Sequence, residues 1–234
     1  MFKQLMKAWS EHKFTSEIVE EFLTMIDKSE EMLCYTFKIL TKNGKGKKFE
    51  EKIYLKDQSI NITERKIRKQ VLIHIKTNPD CNLSACLALI SITKDAERLG
   101  DYVKNFFELK SLLKDSNYDP ELFKKLFDQI GNKLLELFKT VAVSFKNSDK
   151  DLAFEAMNKS HEISVKCEEI IEEIVESDYT KREAVVLALG ARFIKRIACH
   201  LSNIASSIVN PISDIDFSSG VSINPVEDPG ETKI

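Results

Sequence analysis

The sequence predicts an all-α protein of six helices, arranged as two tandem antiparallel three-helix bundles. Three observations predict it. Apolar residues recur at helical spacing from about residue 15 to 210, and strand-like alternation is nearly absent. Helix breakers are scarce: there are seven glycines and five prolines, and Pro79, Pro120, Pro211, Pro225 and Pro229 all stand where a helix would start or stop. Finally, Glu97-Arg98-Leu99-Gly100-Asp101-Tyr102-Val103-Lys104-Asn105 is echoed by Lys195-Arg196-Ile197-Ala198-Cys199-His200-Leu201-Ser202-Asn203 at a constant offset of 98 residues. Arg, Asn, the small residues and the apolar positions coincide, the mark of an internal repeat.

The first helix is expected to begin near Thr15 or Ser16, either a suitable cap, and to end at Asn43-Gly44. Its stripe is Ile18, Phe22, Met25, Ile26, Leu33 and Phe37. The second runs from about Lys48 to Lys76, with Ile53, Ile60, Ile67 and Leu72 on one side, and Asn78-Pro79 stops it. The third runs from near Asn82 to about Leu113. Its first half, Leu83 to Ile92, is apolar nearly all round, which suggests packing on several sides. Asp119-Pro120 starts the fourth, which runs to about Phe145. Capping-box patterns at Ser148/Asp151 and Thr180/Glu183 open the fifth and sixth, and the sixth ends before Asn210-Pro211. The resulting divisions are an amphipathic segment at 1–14, bundle one at 15–115, bundle two at 119–211 and a disordered tail, rich in Ser, Pro, Gly and Asp, at 212–234.

Composition narrows the class. With 234 residues the chain can bury a sizeable core. A net charge of -2, with 43% hydrophobic and 31% charged residues, suits a soluble helical protein and gives no drive toward nucleic acid. The five cysteines, odd in number and without a CxxC, point to a reducing, cytoplasmic compartment. Residues 1–13 lack the apolar core of a signal peptide, and the longest apolar stretch, near Val185 to Ile194, is broken by Arg192. A spanning helix needs ~20 apolar residues, so no membrane insertion is expected.

At the repeated segments the sequence resembles the PhoU family. Glu97-Arg98-Leu99-Gly100-Asp101 with Asn105 is similar to the family pattern E-R-I-G-D-x-x-x-N-I. Ala191-Arg192-Phe193-Ile194-Lys195-Arg196-Ile197 is similar to its second copy, A-R-x-x-E-R-I. Asp57, Ile60, Asn61, Glu64, Arg65 and Ile67 resemble the pattern of its second helix. The resemblance covers about residues 15 to 210 and implies two three-helix bundles. It also implies a regulator of phosphate uptake and signalling that binds a phosphate transporter, a sensor histidine kinase at the inner membrane face, or both, and a homodimer as the family-level expectation. An adaptor of another ion-transport protein, such as a sodium–phosphate cotransporter, is the alternative.

The resemblance also implies a metal site on the second and third helices of each bundle. In bundle one the matching residues are Asp57, Asn61, Glu97 and Asp101, with Asn61 where an acid is expected. Residues four apart share a helix face, so three carboxylates and an amide oxygen would converge if the two faces meet. Such donors suit Mg, Mn, Ca or Fe, and Zn is a further candidate. The bland alternative is that these acids pair with Lys94, Arg98 or Lys104 on their own helix face. In bundle two the matching positions are Ser160, Ser164, Lys195 and Cys199, so every expected acid is gone and a second metal site is not expected.

Arg192, Lys195 and Arg196 form a cationic face that would meet either an anion or the glutamates of the fifth helix. Phe2, Leu5, Met6 and Trp9 make an apolar face that would pack on the bundle or touch a membrane surface. Enzyme signatures are missing: no Glu-x-x-His, HExxH, P-loop or GxSxG occurs, and the four histidines are not paired at ligand spacing. His74, in an apolar run, reads as a packed core histidine. A non-enzymatic protein is expected.

Overall fold

Six helices account for nearly all of residues 13–41, 47–112 and 120–210, which are the residues described by the computed structural model. They are α1 (Lys13–Thr41), α2 (Lys47–Thr77), α3 (Leu83–Leu112), α4 (Pro120–Asn147), α5 (Lys150–Val175) and α6 (Lys181–Val209). No strand occurs among the described residues. The amphipathic segment expected at 1–14 lies outside them but for its last two residues, and the Asn43-Gly44 stop, the Asp119 cap and the tail at 212–234 lie wholly outside.

Local chemistry sets each helix. In α1, Ile18, Phe22, Met25, Ile26 and Leu33 are buried, as their spacing predicts, and Phe37 packs against them. The buried hydroxyls of Ser29 and Thr36 donate to the carbonyls of Met25 and Met32, each at 2.9 Å, so α1 buries them without an orphaned polar group. The helix begins at Lys13, placing Thr15 and Ser16 inside its first turn rather than before it. In α2, Ile53, Ile60 and Ile67 are buried, but Leu72 is 62% exposed and Val71 takes the core position. Leu72 lies five residues past Ile67, about 140° round the helix, whereas Val71 lies about 40° round.

The turns bear out one predicted cap, correct another and supply a third that the sequence reading did not name. Asn82 caps α3, its side-chain oxygen accepting from the Ala85 N–H at 3.1 Å. Thr180 and Glu183 form the expected capping box. The cap of α5, however, is Asp149, whose carboxylate accepts from the N–H groups of Asp151 and Leu152 at 3.0 Å. Ser148 instead adopts φ 52°, and the Asp149 N–H reaches back to the Ser144 carbonyl at 2.9 Å. Ser148 is thus the left-handed residue that closes α4, leaving the next residue to cap α5.

Helices α1, α2 and α3 pack on one another, as do α4, α5 and α6, and the two sets meet through α3 against α6 and α1 against α4. One continuous apolar core runs through both sets. At its centre lie aromatic rings from both: Phe22 to Phe145 at 4.6 Å, Phe37 to Phe106 at 5.6 Å, Phe106 to Phe123 at 5.7 Å and Phe123 to Phe127 at 4.6 Å between centroids. Gly131 on α4 gives Phe37 room, because a Cβ there would stand 2.5 Å from the Phe37 ring. Helix α3 does touch three neighbours, but Leu83 and Leu87 of its apolar first half remain 53% and 48% exposed.

Candidate functional site

The facing surfaces of α2 and α3 carry the residues singled out in the sequence. Asp57 and Glu97 are buried, Asn61 is half-buried one turn beyond Asp57, and Asp101 is half-buried one turn beyond Glu97. Their side chains fall into two charge clusters. Lys104 holds Asp57 across the helix pair at 2.9 Å and Asp101 on its own helix at 3.2 Å. Burial lowers the affinity of the Lys104 amine for its proton, but the hydrogen bonds and charges of Asp57 and Asp101 outweigh it and leave the pKa raised. Lys94 likewise donates to Glu97 and lies 3.8 Å from Glu64 of α2. Arg98 reaches Asp101 at 3.3 Å.

Glu64 belongs to the site although the spacing argument passed over it as a ligand. It is 7% exposed, and its Oε1 is buried without a hydrogen bond, since Arg68 approaches to 3.1 Å but off the bonding direction. The signal was present: Glu64 lies seven residues, two turns, past Asp57. This orphaned oxygen and the all-oxygen donor set suit a hard cation in chemistry. In geometry the fit is incomplete. Among the described residues no three carboxylates of this face come within 4.8 Å of one another, and ammonium groups supply the positive charge between them.

The corresponding surface of α5 and α6 contains no acid at the matched positions. Ser164 Oγ lies 4.0 Å from Cys199 Sγ, and Ser160 Oγ donates to the Ala198 carbonyl at 2.8 Å. These contacts place the matched positions opposite one another, as the repeat requires. Lys195 pairs with Glu168 of α5, whose carboxyl is held below its ordinary range by that hydrogen bond and charge. Arg196 turns to α3 instead, donating to the Tyr102 hydroxyl at 3.2 Å with its guanidinium 5.5 Å from the ring centroid. The cationic face therefore pairs within the molecule at Lys195 and Arg196.

A second cluster lies where α2 turns into α3. His74, expected in the core, is half-buried at the end of α2, and its ring nitrogen comes within 4.8 Å of the thiols of Cys81 and Cys86. Sequence spacing missed this group because its members sit on a helix end, a turn and the next helix.

With this geometry in hand, comparison with known proteins gives a consistent result. The model of the PhoU domain matches twice, over residues 22–109 and 127–208. The chain is 26% identical over 165 residues to the phosphate-specific transport system accessory protein PhoU homolog 1 of Thermotoga maritima, covering 68% of this chain and 70% of the relative. The crystal structure of the phosphate transport system regulatory protein PhoU from Streptococcus pneumoniae superposes with a TM-score of 0.73 at 19% identity, covering 83% of this chain and 92% of that one. PhoU from Pseudomonas aeruginosa gives the same TM-score at 18% identity, covering 84% and 95%. No helix among the described residues is long and apolar enough to cross a membrane. A family model matched by each half of an internally repeated six-helix fold leads to one conclusion: the chain belongs to the PhoU family.

Proposed function

We propose that this protein is a regulatory accessory factor of phosphate uptake that acts by binding a phosphate transporter, a sensor histidine kinase, or both, rather than by catalysing a reaction. The observation that carries this reading is the double family match, which spans both halves of the fold. The accessory and regulatory roles of its relatives support it. The form suits the role: helices of 26 to 31 residues present faces about 40 Å long, enough for a broad protein contact. A hard divalent cation such as Mg or Mn belongs to this reading as a clamp between α2 and α3, competing with Lys94 and Lys104 for Asp57, Glu64, Glu97 and Asp101.

The test is genetic and physiological. In the host, deletion of the gene should alter labelled-phosphate uptake and a phosphate-responsive reporter when phosphate is plentiful, and the native chain should restore both. If uptake and reporter are unchanged at high and low phosphate, the proposal fails. Control of a sodium–phosphate cotransporter is a second reading, favoured by the absence of carboxylates at Ser160, Ser164, Lys195 and Cys199. It predicts that the altered uptake depends on external sodium.

A further inference from the structure

The geometry points to a binding site for a soft, thiol-seeking metal ion, Zn(II) or Cu(I), formed by His74, Cys81 and Cys86 at the α2–α3 turn. Their ligand atoms lie within 4.8 Å of one another. Donors around a tetrahedral zinc stand about 3.8 Å apart, given Zn–S bonds near 2.3 Å, so small side-chain rotations close the set. Two thiolates and an imidazole select a soft or borderline ion over Mg or Ca. Three protein donors leave a fourth position for water or a partner's side chain.

The surroundings fit a metal better than an inert thiol pair. Cys86 is buried, while Cys81 and His74 are half-buried, so the cluster is sheltered yet reachable. Cys81 stands just before α3 and Cys86 in its first turn; burial, with Cys81 beside it, pushes the Cys86 thiol up to about 11, so a metal ion binds there by displacing the proton. The turn is held in place by the Cys81 N–H donating to the Asn78 carbonyl and the Cys86 N–H to the Asn82 carbonyl, at 3.0 and 3.1 Å. The Asn78 side-chain amide meets His74 Nδ1 at 3.2 Å. The same amide nitrogen donates to the His74 carbonyl and to Thr77 Oγ1, each at 3.0 Å, which ties the turn to the end of α2 beside the imidazole. Along the helices, His74 lies about 25 Å from Asp57 and Cys86 about 16 Å from Glu97. The soft cluster is therefore separate from the oxygen-rich face.

The experiment titrates the full-length chain, kept reduced, with Co(II) as an optical probe and then with Zn(II). The expected result is a thiolate-to-cobalt charge-transfer band that saturates at one ion per chain and is bleached by Zn(II). Cys81→Ser and Cys86→Ser should abolish the band, His74→Gln should weaken it, and Cys34→Ser/Cys199→Ser should retain it. Cys81 lies in a half-exposed turn, so its variant keeps the test meaningful even if Cys86→Ser disturbs packing. Absence of the band in the reduced native chain, or its persistence in Cys81→Ser/Cys86→Ser, would overturn the assignment.

Discussion

His200 of α6 places its Nδ1 2.7 Å from Asp95 Oδ1 of α3, joining the two halves of the molecule through a polar contact set in an apolar interface. The same oxygen accepts from Asn203 at 2.9 Å, and Tyr102 stacks on the imidazole at 5.4 Å. Asp95→Ala would leave two donors without their acceptor in a buried seam and should cost about 2–4 kcal/mol. Asp95→Asn, which keeps an acceptor oxygen, should cost less. Urea unfolding of the two variants checks this, and an Asp95→Ala loss below ~0.5 kcal/mol, within the range of ordinary surface substitutions, would falsify the role given to the contact.

Gly131 is required by Phe37. An alanine there gains up to ~1 kcal/mol in helix propensity, but its methyl would press on a ring packed against Phe106 and Phe123. Overpacking costs about 1–3 kcal/mol, so Gly131→Ala should be net destabilising. Gly190→Ala, where the nearest ring atoms stand at 3.3 Å, should be neutral or nearly so. Equal effects of the two substitutions on the thermal midpoint would contradict this account.

Removing the lysines tests the clamp. If a hard cation competes with ammonium groups on the α2–α3 face, Lys94→Met/Lys104→Met should bind Mn(II) more tightly than the native chain, and Glu97→Ala/Asp101→Ala should bind it least. Calorimetric titration measures all three. Indistinguishable heats across the series would rule out this face as the Mn(II) site.

The stability should show an alkaline dependence traceable to Cys167. Burial pushes its thiol from the ordinary 9.0 up to about 12, against the pull of Lys195. The unfolded chain then releases this proton earlier than the folded one. The contribution is full below about pH 9 and is lost as pH rises toward 12, by at most ~1.4 kcal/mol per pH unit. The fall in urea midpoint between pH 9 and 10.5 should be shallower in Cys167→Ala. Parallel slopes in the two proteins would assign the alkaline loss to other groups.

Much of this could be read from the chain. Helical periodicity and the repeat around Arg98 and Arg196 gave the six-helix architecture, because both are local or additive properties of sequence. The acids of α2 and α3 were legible as neighbours on a helix, and their facing followed from the family resemblance. What one-dimensional spacing does not carry is the choice between equivalent contacts. Thr180 caps as expected, whereas Ser148 yields its cap to Asp149 because α4 closes through a left-handed residue. Which ammonium would lie against Asp57 depended on the register of two helices, and that is set by the packing of residues such as Ile60 against Gly100. The His74–Cys81–Cys86 group was invisible to spacing rules because a turn, rather than a helix face, assembles it.

The cross-contacts between the two halves pair first helix with first helix and third with third: α1 meets α4, and α3 meets α6. These two helices of each half thus pack against their own counterparts, the geometry of a pseudo-two-fold interface written within a single polypeptide. One half produced alone would expose a face built for a related but different partner. Without the other half, Asp95 would lose its His200 and Asn203 partners and the apolar faces of α1 and α3 would be open to water.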